Sequence, residues 1–68
     1  MRELDLLLEV FLERRYQTLS PVARDSFERL LDRPNEDLVA WLIEGDSPQD
    51  EQLAGIVRQI REERMRDA

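Results

Sequence analysis

Apolar residues recur along this chain at spacings of three and four in four successive stretches, a pattern that predicts α-helices and no strands. In residues 2–16, Leu4, Leu7, Leu8, Phe11 and Leu12 share one face, while Asp5, Glu9 and Glu13, with Arg2 and Tyr16, form the wet side. Leu19, Ala23, Phe27, Leu30 and Leu31 make the buried stripe of a second helix, with Arg24, Asp25, Glu28 and Arg29 outside it. The third, Asn35 to Gly45, holds the single tryptophan. Leu38, Trp41 and Leu42 line one face, and Val39, Ala40 and Ile43 make the remainder apolar, so neighbours should wrap it with Trp41 as the hub of the core. A fourth helix presents Leu53, Ile56, Val57 and Ile60 as a narrow stripe.

Punctuation between the stripes agrees with this division. Ser20 as cap with Pro21 as first helical residue is a strong start signal, because proline's missing amide hydrogen costs nothing there. Pro34 ends the second helix or begins the next turn, Asn35 is placed to cap the third, and Gly45 to close it in a left-handed conformation. Ser47-Pro48 repeats the serine–proline start, with Asp50 placed to bond back to the cap. The expected fold is an all-α, small antiparallel bundle of four helices. Its domain covers residues 1–60, followed by a charged tail, 61–68, that should fray.

Leu6 and Val10 do not fit a simple two-sided first helix. On a wheel at about 100° per residue they widen its apolar arc to roughly 240°, more than a surface helix in a small bundle needs. Three things could cover that flank: a second copy in a homodimer, a partner protein, or a further piece of the same domain upstream. Glu3 sits inside it, on the line Glu3, Leu7, Val10, Arg14. A carboxylate framed by leucines in a first turn can accept hydrogen bonds from a partner or from helix amides, or it can simply fray into water.

Composition narrows the function. Sixty-eight residues make one domain at most, near the lower limit for a self-sufficient core. With no cysteine and no histidine, disulfides, thiolate or imidazole metal ligands and Cys-His or Ser-His catalysis are all excluded. All ten basic residues are arginine, which leaves no lysine for a Schiff base. No apolar run approaches the roughly 20 residues of a membrane span, and Arg2, Glu3 and Asp5 do not suit a secretory signal. A cytoplasmic setting and no membrane insertion are the expectation.

The formal net charge is −6, and it is unevenly spread. Between Asn35 and Gln52 lie six acids and no base, a surface that repels phosphates and suits a basic partner. Binding of nucleic acid is therefore not expected; in a helix-turn-helix reading of residues 21–45, the second helix would enter the groove with Glu36, Asp37 and Glu44. The same acids lack an alternating calcium-loop pattern, and no glycine-rich phosphate loop exists, so no metal or tightly bound cofactor is expected. Ser20 and Ser47 read as caps rather than nucleophiles. An all-helical protein-interaction module, not an enzyme, remains.

Arg2-Glu3-Leu4-Asp5 with Phe11, Tyr16 with Leu19-Ser20, Phe27 with Leu30-Leu31, Asp37-Leu38 with Trp41-Leu42, then Gly45, Pro48, Asp50, Ile56 and Ile60 form one ordered set. As a set they resemble the small succinate dehydrogenase assembly factors, or flavinylation factors, from Met1 to about Arg61. The resemblance implies a five-helix domain that binds the flavoprotein subunit of succinate dehydrogenase, and often of fumarate reductase. It promotes covalent attachment of FAD to that client, so FAD belongs to the client. Glu3 matches the glutamate of the family signature Arg-Gly-x-x-Glu, with Met1 and Arg2 in its variable places. Its partner-binding face would comprise Glu3 with Arg2, Leu6, Leu7, Val10 and Arg14, over a core that includes Leu4 and Leu8.

The signature's arginine and glycine would precede Met1, and the family has another helix before them. The expectation is a member lacking its N-terminal helix, with Arg-Gly encoded in frame directly upstream; a stop codon there would refute a misplaced start. A competing role is regulatory, as the antitoxin half of a toxin-antitoxin pair, a use also ascribed to some members of this family.

Overall fold

The computed structural model describes residues 2–66, and among these it is all helix and connecting turn. Helix α1 spans Arg2–Arg15, α2 Pro21–Leu31, α3 Asn35–Leu42 and α4 Glu51–Arg66, with a 3-10 turn at Tyr16–Thr18 between α1 and α2. α4 is the common wall, packing against α1, α2 and α3. No helix of the described residues is long and apolar enough to cross a membrane.

The starts of α2, α3 and α4 have identifiable causes. Ser20 takes extended backbone angles and its Oγ accepts from the Ala23 amide at 3.1 Å, so the Ser20-Pro21 start stands. At α3 the cap is Pro34, not Asn35: the Asp37 and Leu38 amides donate to the Pro34 carbonyl, and no side chain caps the turn. At α4 the expected Ser47-Pro48 start is replaced by Asp50, whose Oδ1 accepts from the amides of Gln52 (2.8 Å) and Leu53 (3.1 Å). Pro48 is instead buried within the connecting loop. Those amides, Leu53 first, together with the Arg29 guanidinium, hold the Asp50 carboxyl below its usual 3.8. Gly45 adopts φ +92°, the left-handed turn that ends α3, and the Asp46 amide reaches back to the Ala40 carbonyl at 2.8 Å.

The core is centred on two phenylalanines rather than on Trp41. Phe11 and Phe27 are fully buried with ring centroids 5.4 Å apart, and Tyr16 meets Phe27 edge-on at 5.8 Å. Leu4, Leu7, Leu19, Leu30, Leu38, Leu42, Leu53, Ile56, Val57 and Ile60 complete the buried set. Leu8 and Trp41 are only half-buried, packed against its edge. Leu31, expected inside, is 46% exposed. Ser26 explains the shift: it is buried and donates to the Val22 carbonyl at 3.0 Å, so the inner face of α2 turns toward Ser26 and Leu30 and carries Leu31 to the flank.

Arg24, expected outside, fastens the α1–α2 junction. Its guanidinium donates to the carbonyls of Tyr16 (3.3 Å) and Gln17 (2.9 Å) and lies 5.4 Å from the Tyr16 ring centroid. The largest departure is at the other end of the chain. Residues 61–66, expected to fray, continue α4 for almost two turns because two of them find partners on α1. Asp67 and Ala68 lie outside the described residues.

Candidate partner-binding site

α1 carries more leucines than one core face can absorb, and the surplus defines the site. Leu4, Leu7 and Phe11 point inward, whereas Leu6 is 60% exposed and Val10 is half-buried at the edge. Against this edge the last turns of α4 bring Glu63 and Arg64, closing an apolar cleft of about 160 Å³ lined by Glu3, Leu6, Leu7, Val10, Glu63 and Arg64. Of the residues expected to bind a partner, Glu3, Leu6, Leu7 and Val10 are thus brought together. Arg2 and Arg14 are exposed on the same helix but do not line the cleft. Leu7 serves the core as well, being almost fully buried.

Glu3 is held rather than frayed. Arg64 Nη2 donates to Glu3 Oε1 at 2.6 Å while Nη1 reaches the Leu42 carbonyl at 3.3 Å, so one guanidinium ties the first turn of α1 to the end of α3. Both side chains stay open to solvent, at 52% for Glu3 and 41% for Arg64. Deeper in the cleft Glu63 is buried, and Arg15 Nη1 meets its Oε2 at 3.1 Å. The carboxylate that reaches water and the carboxylate that does not therefore stand side by side, each with its own arginine.

Glu63 and Arg64 are hidden from a sequence pattern because the tail is almost wholly charged, and Arg15, expected as an exposed helical arginine, is instead partly buried against Glu63. A signal was present: Glu63 lies three residues after Ile60 and seven after Ile56, on the continuation of the buried stripe. No buried side-chain nitrogen or oxygen among the described residues lacks a hydrogen-bond partner, and no acidic group among them is arranged to hold a metal ion. The cleft offers an apolar floor and a presented carboxylate, the components of a protein contact surface.

The family model described as "Flavinator of succinate dehydrogenase" matches residues 1–64. This chain belongs to that family. It is 36% identical over 62 residues to the FAD assembly factor SdhE of Coxiella burnetii, covering 91% of this chain and 76% of that protein. Similarity to the FAD assembly factor SdhE of Yersinia pseudotuberculosis is 39% over 61 residues, covering 90% and 69%, and to that of Idiomarina loihiensis 38% over 58, covering 85% and 64%. No solved structure matches. Members of the flavinator family are assembly factors rather than enzymes, and the described residues of this one form a four-helix all-α bundle.

Proposed function

We propose that this chain binds the flavoprotein subunit of succinate dehydrogenase in the cytoplasm and promotes covalent attachment of FAD to it. One observation carries the reading: Glu3, the position that matches the family's glutamate, is presented to solvent in a fixed orientation beside an apolar cleft. A partly buried contact surface gains affinity from apolar area, and a pre-oriented carboxylate adds direction by accepting hydrogen bonds only from donors at one angle. Leu6 and Val10 supply the first, Glu3 the second. The factor works by holding its client in the conformation in which FAD reacts; the bond forms on the client, and this chain contributes no reacting group.

The test is covalent flavin fluorescence of the flavoprotein subunit in a bacterium lacking its own factor, complemented with this chain or with its Glu3→Ala variant. The expected result is restoration by the first and a loss of at least about ten-fold with the second, the scale of a contact hot spot. Failure of the chain to restore the signal while folded and abundant would overturn the reading. The fumarate reductase flavoprotein, assayed alongside, reports whether one surface serves both clients.

A further inference from the structure

A second groove opens on a part of the molecule to which α1 contributes no residue, with a volume of about 600 Å³ between the end of α2, α3 and the loop leading to α4. Its apolar floor is Trp41, Pro48 and Leu53. Trp41 is half-buried and faces this groove, and the Arg33 guanidinium lies over its ring. Arg33 Cζ lies 5.8 Å from the indole centroid, and Arg33 Nη2 donates to Asp37 Oδ2 at 2.7 Å.

An aromatic face and a carboxylate converging on one cation are the two components from which proteins build recognition sites for arginine and lysine side chains. We propose that this groove is a docking seat for an arginine- or lysine-bearing segment of a partner protein, and that Arg33 is the occupant the free chain supplies for itself. The sign of the occupant follows from charge. Asp32, Asp37 and Asp50 line the groove against Arg29 and Arg33, so with Arg33 swung out three carboxylates face one guanidinium, and the flanking stretch Asn35 to Gln52 carries no base of its own. Arg29 does not compete for the seat, because it is engaged with Asp50 at 3.0 Å and Gln52 at 2.7 Å.

Release of Arg33 is easy. The Arg33–Asp37 pair joins residues four apart, with Arg33 in the turn before α3 and both side chains partly open to solvent, the kind of pair that contributes little to a fold. An incoming guanidinium replaces that contact like for like. Its neighbouring apolar side chain then packs on the part of the indole that is still open to the groove, and this added burial drives the exchange.

Trp41 is the only tryptophan, so its emission reads the seat directly. The probes are the capped tripeptides acetyl-Leu-Arg-Leu-amide and acetyl-Leu-Glu-Leu-amide, titrated into the full chain. The expected result is a saturable change with the arginine peptide alone, tightened about two- to five-fold in Arg33→Ala by removal of the internal competitor. Asp37→Asn should weaken it about five-fold, whereas Glu13→Gln, the same charge change on α1 outside the groove, should leave it unaltered. Equal responses to the two peptides, no response, or an equal loss in Asp37→Asn and Glu13→Gln would each overturn the proposal. Should Asp37→Asn not fold, the two-peptide comparison and Arg33→Ala decide it alone.

Discussion

Arg64 closes on Glu3 across a sequence separation of 61 residues, with 2.6 Å between Nη2 and Oε1. Both side chains face water, so the pair is worth only about 0.2–1 kcal/mol to the fold. Glu3→Ala and Arg64→Ala should therefore each unfold within about 1 kcal/mol of the parent in urea. A double-mutant cycle should give a coupling no larger than that, separating any loss of client flavinylation from loss of structure.

The neighbouring pair behaves differently. Glu63 is buried and Arg15 only partly exposed, so Arg15→Ala strands a carboxylate against leucine and should cost about 1–3 kcal/mol. Replacing Glu63 by methionine removes the stranded charge together with its partner's role and should cost less than Arg15→Ala. Chemical denaturation of the two variants under one buffer checks the order.

Asp50 gives the fold a pH dependence of known sign. Its carboxyl titrates below 3.8 in the folded chain, so it binds fewer protons folded than unfolded, and its contribution is complete above 3.8. That contribution is lost as pH falls through the lower folded value. Asp50→Ala should be less stable than the parent at neutral pH, and thermal melts should show the gap narrowing as pH falls below 3.8, where the unfolded carboxyl takes up its proton before the folded one.

The two glycines should respond in opposite directions to alanine. Gly45 has room for a Cβ, whose nearest neighbour is the end of Arg61 at 3.8 Å, but φ +92° strains any L side chain, so Gly45→Ala should cost about 1–2 kcal/mol. Gly55 is helical with nothing within 4 Å of a Cβ, and Gly55→Ala should stabilise by about 0.5–1 kcal/mol. Melting temperatures read in parallel give both signs.

Burial also ranks the aromatics. Phe11→Ala should cost about 3–5 kcal/mol, because the site has no solvent side on which to collapse. Trp41→Ala should cost less despite the greater volume removed, since part of the indole already meets the open groove. Urea midpoints of the two variants test this ranking.

Periodicity located the four helices of the described residues because three- and four-residue spacing is a property of one helix and needs no knowledge of its neighbours. What it could not weigh was competition between helices for the same interior. Trp41 looked central by size, yet Phe11 and Phe27 meet across two helices and occupy the middle, leaving the indole at the rim. Likewise Ser47 and Asp50 are both acceptable caps by residue type. Arg29, a residue of α2, bonds the outer oxygen of Asp50 and so helps fix it as the cap. Glu3 and its apolar frame were legible on a wheel, whereas Arg64 and Glu63 belong to the site only through the packing of α4 on α1.

That packing also sets an order of assembly. Leu4 and Phe11 share one interior with Val57 and Ile60, so the first three helices have no sealed core until α4 arrives. At ribosomal speeds the 16 residues of α4 take on the order of a second to emerge, long compared with helix formation. During that interval the faces that α1 and α2 turn toward α4 are uncovered, available to whatever apolar surface is nearest. A nascent chain of this design is sticky while α4 is still being made.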